Sequence, residues 1–405
     1  MPLLLLLLLL AAPSIGHTLD SAQLNRLAAE SFHKGQYLQA LDKLRQAGEQ
    51  NPYNPRIQHN LAEALLAAAG HLTEEGEWDR AVSLYQEGND RFPEDVRFPL
   101  YLAHLLLQQE RFSEAEVAAG TVLGLDPDSV EALLILGQVN YRTGRLRDAM
   151  ETWRQAAEIA PEDARIADLL ARAEREYRVE ADMTRDYGAG FVLSYDGKTL
   201  GGMSQDILAV LNEAAIEIGS LLDFFPSQKV QVLVYTHRQF RQAVDSPDWA
   251  GGVYDGKIRI PLAGIRQMTP PLRGLLFHEY AHVVVRQLSH GRCPVWLNEG
   301  IAEVMASSQT EVSSTRPLDA SALIPFRELG GSWRDLSPDR ARQAYRQSRS
   351  FVRFLAESYG WYSIRELLGQ YAAGKGGDEA FAAVFGDYGL GLSDLVDNWR
   401  RRELN

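Results

Sequence analysis

A repeat governs the first half of this chain. Four segments share one punctuation, a turn residue, an alanine five positions later and a proline twelve after that. They are Gly35, Ala40 and Pro52; Gly76, Ala81 and Pro93; Glu110, Ala115 and Pro127; and Gly144, Ala149 and Pro161. The last three copies are offset by 34 residues each, and the first precedes the second by 41. A unit of this length holds two helices that cannot bury their apolar faces alone, so successive copies must stack. The alanines let the two helices of a unit approach closely, and the prolines end the second one. Tyr37, Trp78 and Phe112 open the second helix in three copies. The seven additional residues fall within 62–72 and lengthen the first helix of the second copy by about two turns.

A 34-residue helix–turn–helix with this punctuation resembles the tetratricopeptide repeat. The array is expected over 20–183, closed by a helix near 163–175 that covers the last open face. Glycines then mark a change of architecture at Tyr187-Gly-Ala-Gly190. Phe191–Tyr195 and Lys229–Thr236 read as strands and Ser204–Leu222 as an amphipathic helix. Tyr254-Asp-Gly-Lys257 leads into Ile258-Arg-Ile-Pro261 as a hairpin, and Pro261 favours a sheet edge. Later helices include Ala344–Tyr359, with loops at Gly330-Gly331 and 374–377. A chain of 405 residues with 45% hydrophobic content can support two or three cored domains.

Residues 1–16 are an apolar run, too short for a membrane span of about 20 residues. The run fits a signal peptide with Ser14 and Gly16 as small residues before a cleavage point, and places the chain outside the cytoplasm, in a bacterial periplasm or the extracellular space. Membrane association is expected only if this segment is retained. The net charge of −13 argues against a nucleic-acid partner, which needs clustered Lys and Arg. Cys293 is alone, so no internal disulfide forms, and a small packed residue is its expected role.

The chemistry-bearing segment is His278-Glu-Tyr-Ala-His282, inside an apolar helix over 274–285. Positions i and i+4 share a helix face, so both imidazoles can grip one metal ion with Glu279 beside it as a base. Zinc in hydrolases keeps three protein ligands and an open position for water. Seventeen residues past His282, Glu299 in Pro294-Val-Trp-Leu-Asn-Glu-Gly-Ile-Ala-Glu303 supplies the third, provided that the two helices pack antiparallel across the short turn between them.

This pair of motifs resembles the gluzincin metallopeptidases, and within them the peptidase-MA-like domains fused to tetratricopeptide repeats. The resemblance implies an α+β zincin-like metallopeptidase domain over 187–405 behind the all-α solenoid. It also implies Zn2+ held by His278, His282 and Glu299, Glu279 as general base, and Glu303 accepting the free ring N–H of a ligating histidine. Tyr345 either donates a hydrogen bond to the oxyanion, as a tyrosine does in some gluzincins, or is an aromatic core residue.

The expected function is therefore an exported zinc peptidase acting on protein or peptide substrates. Its repeat groove would recruit substrate or a protein partner. The competing reading is a tetratricopeptide interaction scaffold whose zinc hydrolase domain is idle or acts on something other than peptides.

Overall fold

The repeat punctuation becomes helices in the computed structural model, which describes residues 19–243, 253–254, 256–262, 265, 267–309, 318, 322–333 and 336–403. The apolar run at 1–16 lies outside the described residues. The helix pairs are α1 (Ser21–His33) with α2 (Tyr37–Gln50), α3 (Pro55–Glu74) with α4 (Trp78–Arg91), α5 (Arg97–Gln108) with α6 (Phe112–Leu125), and α7 (Val130–Arg142) with α8 (Leu146–Ile159). Ala40, Ala81, Ala115 and Ala149 have no exposed surface, as close helix approach requires. Gly35, Gly76 and Gly144 adopt left-handed backbone with φ of 73°, 77° and 80°, which turns the chain between paired helices. Glu110 takes the same conformation, φ 58°, at its own turn. The additional residues of the second copy make α3 a 20-residue helix where α1 has 13.

Packing divides the chain within the repeats. Of the described residues, one compact unit holds those up to Thr73 together with Asp79–Pro93, and the other holds Glu74–Trp78 together with those from Glu94 onward. By packing, α5 to α8 and the following helix α9 (Ala164–Glu180) fall in the same unit as the sheet. Within the first unit, Leu24, Ala47 and Ile57 form a small buried cluster.

In the second unit the sheet comprises β1 (Thr184–Tyr187), β2 (Phe191–Tyr195), β3 (Val230–Tyr235), β4 (Val253–Tyr254) and β5 (Ile258–Pro261), in the order β1-β2-β3-β5-β4. β2, β3 and β5 run parallel, and β1 and β4 flank them antiparallel. Between strands lie α10 (Gly197–Leu200), α11 (Ser204–Leu222) and α12 (His237–Ala243). After the sheet come α13 (Pro270–Leu288), α14 (Val295–Ser308), α15 (Phe326–Leu329), α16 (Pro338–Ala372), α17 (Gly377–Phe385) and α18 (Leu392–Glu403). The helix expected over Ala344–Tyr359 is the first arm of α16, whose helical run breaks at Gly360 with φ 79° and ψ 162°.

Period-two alternation assigns the two sheet faces. Val232, Val234, Ile258 and Ile260 join the main core with Leu276 and Phe277 of α13 and Ile207 and Leu211 of α11. Leu233 and Tyr235 face the other way, against Phe240 of α12 and Val179 of α9. Lys257, just before β5, and Arg259 on it carry charge to this second face, yet each is only 1% exposed. Glu176 of α9 meets both: its Oε2 lies 3.4 Å from Lys257 Nζ and 3.0 Å from Arg259 Nη2. Tyr141 donates its hydroxyl to Glu176, and Lys257 Nζ sits 4.2 Å from the centre of the Tyr141 ring.

The edge expected at Pro261 requires correction. β5 is an interior strand and β4 forms the edge. Among the described residues, β4 pairs with Ile258 and Arg259, so Pro261 lies past the stretch that β4 covers.

Candidate metal centre

The helix carrying the two histidines begins with Thr269, whose side chain accepts from Leu272 N, and with Pro270, which is tolerated in a first turn that lacks acceptors. Its interior is apolar and buried at Leu276, Phe277, Tyr280, Ala281, Val283 and Val284, which fixes which face turns to the sheet. It ends in a tight reversal. His290 and Gly291 both take left-handed backbone, φ 49° and 72°, and Gly291 N donates to Arg286 O at 2.8 Å. Pro294 then starts α14 from an extended conformation.

Contacts between the two helices run in opposite chain directions. His282 meets Asn298 and Glu299, whereas His278, one turn earlier, meets Glu299 and Glu303. The pair is therefore antiparallel. Gly300 explains how the second helix is seated, since a Cβ there would stand 2.7 Å from the Ser348 carbonyl oxygen and 2.6 Å from Val352 Cγ2 of α16. Only glycine allows that approach beside Glu299.

His278, His282 and Glu299 each offer a ligand atom, all within 4.8 Å of one another. Glu299 Oε2 is 3.5 Å from His278 Nε2 and 3.7 Å from His282 Nε2, and the two imidazoles stand at 89° to each other. Two buried carboxylate oxygens, Glu279 Oε2 and Glu299 Oε2, have no hydrogen-bond partner. Orphaned buried anionic oxygens are costly, and a cation among them removes the cost. The donor set of two imidazoles and one carboxylate suits zinc.

The far ring nitrogens are also engaged. His282 Nδ1 lies 3.0 Å from Asn298 Oδ1, and His278 Nδ1 lies 3.5 Å from Glu303 Oε1. A proton on Nδ1 leaves Nε2 free as a ligand atom. Tyr345 packs edge-on against Trp333 at 5.0 Å, and burial, followed by the charges of Glu299, Glu303 and Glu279, holds its hydroxyl protonated. Cys293 is outside the three-residue cluster, and burial pushes its thiol well above the usual range.

Residues 211–403 match the family model of the peptidase MA superfamily, and residues 72–123 and 106–173 match that of the tetratricopeptide repeat. The chain carries a peptidase MA superfamily domain behind tetratricopeptide repeats. Solved structures similar to the repeats include MamA from Desulfovibrio magneticus RS-1, 17% identical, over 38% of this chain and 83% of that one with a TM-score of 0.31. A thermophilic tetratricopeptide protein of Thermus thermophilus is 20% identical over 38% of this chain and 99% of that one, TM-score 0.24. The first tetratricopeptide domain of Spaghetti, solved bound to an HSP90 peptide, is 19% identical over 28% of this chain and 90% of that one, TM-score 0.28. Among curated proteins, none matches this chain.

Within the peptidase MA superfamily domain, Asn298 is the site residue that sequence reading passed over. Its signal was present in the Asn-Glu-Gly run, where one side chain sits one position before a ligand candidate on the same helix turn.

The electrostatics of the domain give a pH dependence. Burial disfavours the imidazolium of His278, but the adjacent Glu299 carboxylate and the charges of Glu279 and Glu303 outweigh it and raise the pKa to about 9. The folded value lies above the unfolded one of about 6.5, so this proton stabilises the metal-free fold fully below pH ~6.5, and the contribution is lost as pH rises through about 9. A zinc ion held through His278 would have to displace the same proton, so its apparent affinity would climb about tenfold per pH unit between pH ~7 and 9. Chelator-competition titrations across that range check this, and a flat profile would exclude His278 as the protonated group.

Proposed function

We propose that the chain is an exported zinc-dependent peptidase of the gluzincin type, with a zincin-like catalytic domain and a repeat array that recruits a protein substrate or partner. The observation that carries this reading is the convergence of both histidine Nε2 atoms on one orphaned oxygen of Glu299, with buried Glu279 adjacent in sequence to the first histidine. His278, His282 and Glu299 would hold the ion. Zinc bound there supplies a Lewis acid that acidifies water and polarises the scissile carbonyl.

The chain's own groups do the rest. Glu279 takes a proton from the attacking water and returns it to the leaving amine. Its carboxyl is raised above the ordinary range by burial, opposed by His282 and His278, which suits a base that must accept a proton near neutrality. Asn298 and Glu303 orient the two imidazoles. Tyr345, on the helix that Gly300 lets α14 approach, would donate its hydroxyl to the oxyanion. β4 is an edge strand beside α13, and an extended peptide added to it would be held by backbone hydrogen bonds that are indifferent to sequence. Export rests on the apolar run at 1–16.

Zinc titration of the full chain, paired with a digest of an unfolded protein, tests this reading. Wild type is expected to bind one equivalent and cleave. Glu299→Ala should lose stoichiometric binding, and Glu303→Ala should weaken it by about 10–100-fold. If Glu303→Ala were the variant that lost the metal, the ligand assignment would be wrong. One equivalent of zinc without cleavage would favour the interaction scaffold instead.

A further inference from the structure

The turn at Ser289–Cys293 joins the helix bearing His278 and His282 to the helix bearing Glu299, so its shape sets how the three ligand candidates face each other. Residues of the repeats grip it. The Trp78 ring stacks on His290 with centroids 4.1 Å apart and planes at 19°, and Arg292 lies over the same ring at 4.9 Å. Trp78 is 3% exposed. Glu110 takes the last turn of α13 from the other repeat: its Oε1 accepts from Arg286 Nε at 2.9 Å and its Oε2 from Gln287 Nε2 at 3.0 Å. Arg142 closes the cluster with an ion pair to Glu110, whose side chain is 7% exposed.

Glu110 occupies the position that is glycine in the other three repeats, and it holds the same left-handed backbone. A side chain in that conformation is strained where glycine would not be. The turn alone therefore favours glycine, and what glutamate adds is a carboxylate directed at Arg286 and Gln287. Arg292 also donates to the Ala372 carbonyl at 3.0 Å, which ties the far end of the turn to α16.

We propose that Glu110 and Trp78 are positioning residues of the metal centre, clamping the helix–turn–helix that carries His278, His282 and Glu299 so that the ligand atoms stay within reach of one ion. The proposal rests on the zinc reading of that site. It gives these repeats a task in catalysis separate from recruitment.

The test uses the full chain with Glu110→Gln, which keeps side-chain size, and Glu110→Gly, which restores the residue of the other repeats and relieves the backbone. Three quantities are compared with wild type: zinc affinity by chelator competition, the visible spectrum of the Co2+-substituted protein, and amide exchange of the metal-free chain over 274–303. Both variants are expected to weaken zinc by about tenfold, to change the cobalt spectrum, and to speed exchange in the 286–293 segment. Glu110→Gly with unchanged zinc affinity and cobalt spectrum overturns the proposal, even if the melting temperature shifts, since that pattern belongs to a merely structural contact. Unchanged exchange in both variants overturns it as well. If wild type fails to bind zinc, the function reading falls on that control alone, and the exchange comparison still decides whether Glu110 holds the two helices.

Discussion

Glu279→Gln is expected to bind zinc as tightly as wild type and to hydrolyse an unfolded protein about 10²–10⁴-fold more slowly, the share that general-base catalysis supplies. The side chain is 3% exposed and its Oε2 has no hydrogen-bond partner, so an amide of the same shape neither empties space nor breaks an existing bond. What it removes is basicity. Zinc stoichiometry serves as the control for folding, and turnover is followed with a quenched fluorescent casein. Because burial raises the Glu279 carboxyl, the base is protonated at a higher pH than an ordinary glutamate, and wild-type activity should fall early on the acid side. Near-normal turnover in the glutamine variant would take Glu279 out of the mechanism.

The second large effect is structural. Glu176→Ala should destabilise the unit that contains the sheet by about 3–5 kcal/mol, because it strips the acid from a buried cluster and leaves cations behind. Lys257 and Arg259 are buried as deeply as the apolar core, and the next acid along α9, Glu180, is held toward its neutral form by burial despite the charge of Lys257. The melting temperature should drop by roughly 6–20 °C. Glu176→Gln retains an acceptor for Tyr141 and should fall between alanine and wild type. An alanine variant melting within about 2 °C of wild type would mean that the cations are satisfied without Glu176.

These two sites show what a sequence can and cannot reveal. The repeats were legible because a helix pair repeats its own punctuation, and every alanine and proline of the pattern does the same physical task in each copy. His278, Glu279 and His282 were legible because a helix turn brings i and i+4 together whatever the rest of the chain does. Glu299 followed from a short turn. Lys257 and Arg259 were not legible: on a strand that alternates charged and apolar residues, they read as a solvated face. Their partner Glu176 lies 81 and 83 residues away, on a helix expected only to cap the repeats. Glu110 is separated from Arg286 by 176 residues, and its left-handed backbone is visible only in three dimensions. β1 escaped notice because its four residues are mostly exposed and carry no apolar alternation. Local periodicity reads through to structure, and long-range charge pairing does not.

The long helix α3 shows which length changes such a chain can absorb. Seven added residues turn a helix by about 700°, some 20° short of two full revolutions. The helix is extended by about 10 Å, but the face it presents after the insertion almost matches the face before it. Ala64, Leu65, Ala68, Ala69 and Leu72 accordingly continue a buried stripe begun by Ile57 and Leu61. An insertion of five would have rotated everything beyond it by about 140° and turned that stripe toward water. Length variation inside repeat helices should thus come in near-whole numbers of turns, so that one rung of a solenoid can lengthen without redesigning the next.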